Sequence, residues 1–347
     1  MFNKKSVMLK APLKEKVGIV TVILLFLTVI MCIASIFLSC NNESCSYASA
    51  ETSTTEISTI KEESTAEEAS AEAFALPLQS FTAFQDINVS APFAGLYSAD
   101  TLTAIYEKEA QTKIHPASLA KILTAITALS YVPSDTVFTV GSEQELLPAR
   151  SSLCLIKEGH QLTLYQLLSG MLIASGNDAA YTVAVNTARF VMNRDDISDK
   201  EALSYFSTLM NSLAETAGAE NSCFINPDGF DNEKQYTTIR DLAAICRYAL
   251  CFDEICEIAA CSEKHIVFKS GENVTWKNSN QLLRNESPYY FPQATGMKTG
   301  TTPLAGKCLM AIGQIKDKSY ICVIAGCNSE DSRYKSVTDL FDFASRI

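Results

Sequence analysis

A serine and a lysine three positions apart begin an apolar helical pattern in residues 115–124, and they restrict what this part of the chain can form. Positions i and i+3 share one face of a helix, so the spacing predicts that the Ser118 hydroxyl lies within reach of the Lys121 amine. The apolar residues that follow indicate a buried helix face: Leu119, Ile122, Leu123 and Ile126. An amine accepts a proton from serine only when it is neutral, which requires burial or a neighbouring cation to lower its pKa.

The same spacing also occurs at Ser58 and Ser332. Ser58 lies in an acidic tract rich in serine and threonine, with no apolar residues to bury its lysine. Ser332 lies among charged residues. Only Ser118 has apolar surroundings, but on this pattern alone an ordinary helix start is the favoured interpretation, so the choice depends on the rest of the chain.

The N-terminus carries a basic segment followed by a long apolar one. Residues 1–16 contain five lysines and one acidic residue, and residues 17–40 contain no charge. As a helix, those 24 residues would span about 36 Å, which exceeds the roughly 30 Å hydrocarbon core of a membrane. Lysines on the N-terminal side predict a cytoplasmic tail at 1–16, a transmembrane anchor or signal at 17–40, and everything downstream outside the cell. An uncleaved single-pass membrane protein is the favoured interpretation, and cleavage after Ala50 would give a secreted one.

The composition divides the remainder into a linker and one folded domain. Residues 41–85 are dominated by small, polar and acidic residues that bury too little surface to fold, which predicts a disordered linker. Residues 86–347 are long enough for one large domain. The net charge of −11 argues against a nucleic-acid partner.

The cysteines do not form a metal-binding pattern. Of the twelve, Cys32, Cys40 and Cys45 precede the domain, which leaves nine within it. None forms C-x-x-C, and only Cys261 has a nearby histidine, His265. Most are expected to pack as small buried hydrophobes, with a disulfide left open. We expect no metal and no cofactor.

The periodicity of the domain predicts an α+β fold. Two short β-like runs, 94–97 and 102–106, predict a hairpin. Helical patterns cover residues 164–172, 200–217, 238–250 and the segment from 331 onward, and strand patterns cover 306–314 and 320–326. The early hairpin is expected to join the late strands in one sheet.

Two further elements carry candidate functional side chains. Ser175-Gly176-Asn177 would present a hydroxyl and an amide from a turn between two buried helices, with Asp178 as the N-cap of the second helix. The alternative is a simple helix–helix turn. Lys298-Thr299-Gly300, within residues 296–302, combines a lysine with a glycine that lets a ligand backbone approach a strand. The alternative is an exposed strand edge protected by lysine.

In this order, the three elements resemble the S-x-x-K, S-D-N and K-T-G set of penicillin-binding proteins and class A β-lactamases. The S-G-N variant followed by Asp-Ala-Ala resembles the low-molecular-weight D-alanyl-D-alanine carboxypeptidases, serine peptidase family S11. Connecting stretches at 226–230, 236–243, 278–283 and 305–309 resemble that family too. The resemblance covers about residue 86 to the C-terminus. It implies a β-lactamase/transpeptidase-like fold: an antiparallel sheet flanked by helices and a mostly helical subdomain, here preceded by the transmembrane segment.

The resemblance implies a covalent mechanism. Ser118 would attack the carbonyl between two D-alanines of a peptidoglycan stem pentapeptide, release the terminal D-Ala and form an acyl-enzyme that water hydrolyses. Lys121 would be the general base, kept neutral by burial and by Lys298. Ser175 and Lys298 would relay a proton to the leaving amine.

The resemblance also implies a set of substrate-binding groups. Asn177 would bind the substrate amide, and the strand Lys298-Thr299-Gly300 would pair with the peptide backbone, with Thr299 at the terminal carboxylate. The backbone N–H groups of Ser118 and Thr301 would form the oxyanion hole. Arg333 would be a second carboxylate partner or, alternatively, a solvated helix charge.

The expected function is therefore a serine-type D-Ala-D-Ala carboxypeptidase that β-lactams inhibit. A β-lactam-binding sensor or a transpeptidase of the same fold is the alternative. A β-lactamase is disfavoured because no E-x-x-L-N occurs between Asn177 and Lys298. Many relatives carry a further domain and a C-terminal membrane helix, whereas this chain stops at Ile347, so attachment through the N-terminal helix is expected.

Overall fold

The computed structural model describes residues 87–347. The predicted tail, transmembrane segment and linker, residues 1–16, 17–40 and 41–85, lie outside the described residues. Within the described range, no helix combines the length and the apolar character needed to cross a membrane.

The described chain begins with two strands, continues with six helices and four short strands, and ends with three long strands and a helix. The strands are β1 (Phe93–Ser98), β2 (Ala104–Lys108), β3 (Val137–Thr139), β4 (Gln161–Thr163), β5 (Glu263–Val267), β6 (Asn273–Lys277), β7 (Ala294–Thr302), β8 (Gly306–Ile315) and β9 (Lys318–Cys327). The helices are α1 (Ala120–Tyr131), α2 (Leu164–Ile173), α3 (Asn177–Met192), α4 (Asp199–Thr216), α5 (Ile239–Ala249), α6 (Asp253–Ala260) and α7 (Glu330–Ala344).

Five strands form one antiparallel sheet in the order β2-β1-β9-β8-β7. The hairpin β1–β2 joins the three C-terminal strands because β1 pairs along β9, from Phe93 opposite Ala325 to Ser98 opposite Tyr320. The predicted return of the early strands to the late sheet is therefore confirmed. Strand β7 lies at one edge of this sheet, which leaves one side of its backbone without a strand partner.

The sheet separates two hydrophobic cores. Along β9, Ile321 and Val323 point to the core shared with the helices α1–α6, whereas Cys322 and Ile324 point to the core covered by α7. Alternate side chains of a strand face opposite sides of the sheet, so burial on both sides requires a nearly continuous apolar run. This explains why residues 320–326 show little polar alternation.

Helix starts follow N-cap chemistry. Thr163, Ser198, Thr238 and Ser329 each accept a hydrogen bond from the backbone N–H three residues later, at the starts of α2, α4, α5 and α7. These caps lie within two residues of the predicted boundaries. The predicted cap Asp178 was wrong: α3 begins at Asn177 after Gly176, and the Asp178 carboxylate instead binds a neighbouring loop.

The nine cysteines of the described range are free thiols. Five are buried: Cys154, Cys246, Cys308, Cys322 and Cys327. The prediction that most of them pack as small hydrophobes is therefore confirmed. No group of three histidine, cysteine or acidic side chains in residues 87–347 is arranged to hold a metal ion.

Candidate active site

The candidate site lies where α1 begins and the edge strand β7 passes beside it. Ser118 is in a 3-10 turn, Ala117–Leu119, that leads directly into α1. A Cβ atom at Gly300 would lie 2.9 Å from the Ala117 side chain and 3.1 Å from the backbone nitrogen of Ser118. Glycine is therefore required at this position of β7, because any side chain would push the strand away from the Ser118 turn.

A second glycine supports the same turn from another segment. Gly229 has φ +80°, and a Cβ atom there would lie 1.7 Å from the carbonyl oxygen of Ala117. Both the left-handed backbone and the contact distance exclude a side chain. The loop 226–230 therefore packs directly against the backbone that carries Ser118.

Lys121 is fully buried, and three oxygens surround its Nζ atom. Nζ lies 2.8 Å from Ser118 Oγ, 2.7 Å from Asn177 Oδ1 and 2.8 Å from the carbonyl oxygen of Asp228. The amide and carbonyl oxygens only accept hydrogen bonds, so they fix two N–H bonds of the amine. The third direction points at Ser118 Oγ, where a neutral amine has its lone pair. The reach predicted from the i, i+3 spacing is present.

Burial lowers the pKa of Lys121 to about 8, and the carboxylates of Asp228 and Asp178 oppose this shift. A buried cation loses hydration, which favours the neutral form, while nearby negative charge favours the protonated form. The shift brings the amine close to the range in which it can exchange a proton with serine near neutral pH.

Lys298 on β7 is also buried, with 1% of its surface exposed, and its Nζ donates to the carbonyl oxygen of Thr299. Its pKa lies well below the ordinary lysine value, first because of burial and then because of the positive charges of Lys121 and Arg333. The alternative of an exposed edge lysine is wrong. The repulsion expected between the two lysines is present, and the carboxylates of Asp228 and Asp178 limit the lowering of the Lys121 pKa.

Ser175 and Asn177 reach the site from the turn between α2 and α3. Ser175 has φ +63° and is buried, and its hydroxyl forms no hydrogen bond with another described residue. Its predicted relay with Lys298 stays a prediction. Asn177 uses Oδ1 for Lys121, and its Nδ2 donates to Ser151 Oγ at 3.2 Å.

On β7, the hydroxyls of Thr299 and Ser279 lie 2.7 Å apart. Arg333 of α7 donates to the Gly300 carbonyl oxygen at 3.4 Å and to Thr301 Oγ1 at 3.3 Å, with 5% of its surface exposed. The alternative of a solvated helix charge is therefore wrong, because the guanidinium is packed against β7. Its Nε is buried without a partner.

Sequence reasoning missed several residues that build this site. Asp228 contributes a backbone carbonyl, Gly229 a close contact, and Ser279 and Ser151 hydroxyls. Asp228 and Gly229 lie in the stretch 226–230 and Ser279 in 278–283, which resemble the family, but that resemblance assigned them no role; the Asn-Pro-Asp-Gly run is in addition typical of a tight turn. The structure thus brings Ser118, Lys121, Asn177, Lys298, Thr299, Gly300 and Arg333 together around the Ser118 turn and strand β7, and their catalytic roles stay predictions.

A family model described as D-alanyl-D-alanine carboxypeptidase, peptidase S11, matches residues 79–329. The chain is 27% identical over 257 residues to D-alanyl-D-alanine carboxypeptidase DacF of Bacillus subtilis. It is 31% identical over 250 residues to DacC of Escherichia coli. These alignments cover 73% and 70% of this chain but only 62% and 58% of the two relatives, so the chain spans about three fifths of their length.

Solved structures show the same fold. The crystal structure of the Streptomyces K15 DD-transpeptidase superposes with a TM-score of 0.68 and 27% identity, covering 75% of this chain and 99% of that one. The D-alanyl-D-alanine carboxypeptidase DacD of Francisella tularensis superposes with a TM-score of 0.63 and 25% identity, covering 74% of this chain and 71% of that one. The expected β-lactamase/transpeptidase-like arrangement of antiparallel sheet and helices is confirmed for the described residues.

Proposed function

The chain belongs to the D-alanyl-D-alanine carboxypeptidase family, peptidase S11, and on that basis we propose that it removes the terminal D-Ala from peptidoglycan stem pentapeptides. The observation that carries the proposal is the hydrogen bonding of Lys121. Two acceptor oxygens hold its amine so that the third direction meets Ser118 Oγ at 2.8 Å. A serine with a buried, pKa-lowered lysine beside it is an activated nucleophile that needs no histidine.

The acylation step follows from this geometry. Ser118 Oγ attacks the carbonyl carbon of the penultimate D-Ala while its proton passes to neutral Lys121. The backbone N–H groups of Ser118 and Thr301 stabilise the tetrahedral oxyanion, each typically worth about 3 kcal/mol. The close approach of Gly300 to the Ser118 nitrogen supports this pairing.

Collapse of the tetrahedral intermediate breaks the peptide bond, and the leaving amine of D-Ala takes the proton that Lys121 accepted from Ser118, which returns Lys121 to its neutral form. Ser175 and Lys298 are the groups we assign to relaying that proton, because both are buried and a neutral Lys298 amine can accept one proton while it passes on another. Water then hydrolyses the Ser118 ester and restores the enzyme.

The substrate backbone would lie along the open edge of β7, because an edge strand offers unpaired N–H and C=O groups to an extended peptide. Thr299 and Arg333 would bind the terminal carboxylate. Arg333 supports this role through its position beside Gly300 and Thr301 and its unpartnered Nε. β-Lactams would acylate the same serine.

We further propose that residues 17–40 anchor the protein in the cell membrane with the catalytic domain outside. The support is the uncharged apolar run preceded by five lysines. Deleting residues 17–40 should release the protein from membranes washed at high pH. Retention of the deleted protein in the membrane would refute an N-terminal anchor.

The test of function is D-Ala release from a pentapeptide ending in D-Ala-D-Ala by the full chain. We expect release by the wild type, none by Ser118→Ala, and normal release by Ser58→Ala, which alters another serine of the same spacing. Release by Ser118→Ala would refute the nucleophile. A wild type that only transfers the peptide to an added amine would favour the transpeptidase alternative.

A further inference from the structure

The loop of residues 151–156 borders the site and has no regular secondary structure. It starts after Arg150 with φ +66° and contains Leu155 with φ +68°. Leu155 is 69% exposed, so its side chain adds little apolar burial. Such a loop needs specific polar contacts to keep one conformation.

One carboxylate supplies three of those contacts, and the Ser151 hydroxyl supplies another by donating to the Pro148 carbonyl oxygen at 2.7 Å. Asp178 Oδ1 accepts hydrogen bonds from the Cys154 backbone nitrogen at 2.9 Å and from the Cys154 thiol at 3.2 Å. Oδ2 accepts from the Ile156 nitrogen at 3.2 Å. The side chain is almost completely buried in the first turn of α3, where the helix dipole favours negative charge. Charge-assisted hydrogen bonds of this kind are about twice as strong as neutral ones.

These hydrogen bonds from the loop to Asp178, which we call the clamp, are closely packed. A Cβ atom at Gly176 would lie 2.5 Å from Asp178 Oδ1 and 2.7 Å from Cys154 Sγ. On the far side, Nε1 of Trp276 donates to the Cys154 carbonyl oxygen at 2.9 Å. The middle of the loop is therefore fixed from both sides, and the glycine between Ser175 and Asn177 makes that docking possible.

The clamped loop in turn holds Asn177. The Asn177 backbone nitrogen donates to the Ser152 carbonyl oxygen at 2.7 Å, and Nδ2 donates to Ser151 Oγ at 3.2 Å. The Asn177 side chain also hydrogen-bonds with the Asp228 carboxylate, so the loop and Asp228 together turn Oδ1 towards Lys121 Nζ. An amide flipped by 180° would present N–H groups to an amine that needs an acceptor.

We propose that Asp178 is a positioning residue: by clamping the loop 151–156 it sets, through Ser151, the orientation of the Asn177 amide and thereby the direction of the Lys121 amine towards Ser118. This inference rests on the proposed function for its kinetic consequence, whereas the clamp itself can be tested without it. Asp178 touches no reacting atom.

Asp178 also has a second route to Lys121, because its negative charge raises the pKa of that lysine. The two routes are separable. Ser151→Ala removes the loop's bond to the Asn177 side chain, leaves the bond from the Asn177 backbone to Ser152, and keeps the charge. Asp178→Asn removes the charge and keeps one acceptor oxygen for Cys154. Asp178→Ala removes both.

The experiment measures two quantities on the full chain and each variant. The first is the rate of trypsin cleavage after Arg150, which is exposed immediately before the loop. The second is the acylation rate by a fluorescent penicillin, with kcat and KM for D-Ala release. Asp241→Asn is the matched control, because Asp241 is another buried first-turn carboxylate that binds a different loop, at Asn221 and Ser222.

We expect Asp178→Ala to speed cleavage after Arg150 and to slow acylation about 10- to 100-fold, mainly through kcat, since small misplacements of reacting groups are costly. Ser151→Ala should slow acylation about 3- to 10-fold, as for one lost hydrogen bond, without faster cleavage. Asp178→Asn should give cleavage and acylation rates between those of the wild type and Asp178→Ala. If Asp178→Ala does not fold, Asp178→Asn alone provides the test. Asp241→Asn should change neither quantity.

Faster cleavage with unchanged acylation in the Asp178 variants would overturn the inference. So would slower acylation in Asp178→Asn with no change in Ser151→Ala, because the loop would then not act through Ser151. Faster acylation in Asp178→Asn would also overturn it, because loss of the charge lowers the pKa of Lys121 and Asp178 would then act through its charge. If the wild type neither releases D-Ala nor binds penicillin, the proposed function fails, and the trypsin rates still decide whether Asp178 holds the loop.

Discussion

The Nζ atom of Lys121 lies 2.8 Å from the Oγ atom of Ser118, and its other two hydrogen bonds end on oxygens that have no proton to donate. When the amine is charged, Ser118 receives its third N–H bond. When the amine is neutral, the same direction holds the lone pair, and the serine hydroxyl becomes the donor. Loss of one proton therefore converts the pair from resting to reactive without moving a heavy atom.

The acylation rate should rise with pH through the pKa of Lys121, about 8. The neutral fraction of a group with that pKa is about one tenth at pH 7 and about nine tenths at pH 9, so the rate should increase about tenfold. Stopped-flow labelling with a fluorescent penicillin between pH 6 and 9.5 measures this pH dependence of the acylation rate. A midpoint far below 8 would identify Lys298, whose pKa is lowered more strongly, as the base.

Lys298→Met should abolish acylation and stabilise the fold. Methionine has a similar volume and fills the buried position without the cost of desolvating an amine. Thermal unfolding should show a Tm higher by about 2–4 °C for each kcal/mol gained. A lower Tm would mean that the Lys298 contact with Thr299 outweighs that desolvation cost.

The same variant should change how stability depends on pH. Folding lowers the pKa of Lys298, so the unfolded chain binds more protons from the folded pKa up to its own value of about 10.4. Over that window wild-type stability rises with pH. Urea titrations of Lys298→Met at pH 7 and 9.5 should show a smaller rise than the wild type, and an equal rise would contradict the lowered pKa.

Gly229→Ala should destabilise the fold by about 3 kcal/mol or more, because it combines a left-handed backbone with a collision against Ala117. Gly218→Ala is a matched control: Gly218 has φ +86°, but a Cβ atom there meets no atom within 4 Å. It should cost only about 1–2 kcal/mol. If urea unfolding shows the same loss of stability for Gly229→Ala and Gly218→Ala, the contact with Ala117 is unimportant.

Ser279→Ala should weaken use of the pentapeptide by roughly fivefold, mainly through KM, because its hydroxyl orients that of Thr299 at 2.7 Å. Thr299→Val removes the hydroxyl with which Ser279 forms this hydrogen bond. In a double-mutant cycle the second change should then add little to the first. Fully additive losses in kcat/KM would show that the two hydroxyls act independently.

The elements that sequence reasoning found are those encoded by local patterns. The hairpin β1–β2 and the strands β8 and β9 follow from apolar runs, and the reach of Lys121 to Ser118 follows from helix geometry alone. The order of the three motifs then predicted that they form one site. That prediction needed a known fold, because Ser175, Asn177 and Lys298 belong to segments far apart in the chain.

What sequence reasoning missed depends on contacts between distant segments. The carbonyl oxygen of Asp228 binds Lys121, but every residue type has such an oxygen, so no residue pattern marks it. Aspartate is a residue type typical of an N-cap, but the loop 151–156 packs against the start of α3, and its backbone N–H groups donate to the Asp178 carboxylate. Lys298 fits an exposed edge strand, but β7 is buried against the Ser118 turn.

The partners of Lys121 are 3, 56 and 107 residues from it in the chain. Contacts of such sequence separation form only once the chain has closed its longest loops. An unfolded or partly folded chain therefore carries an ordinary serine and an ordinary lysine. Covalent labelling of Ser118 by a penicillin would then count only completely folded molecules, and would serve as a direct reporter of folding yield.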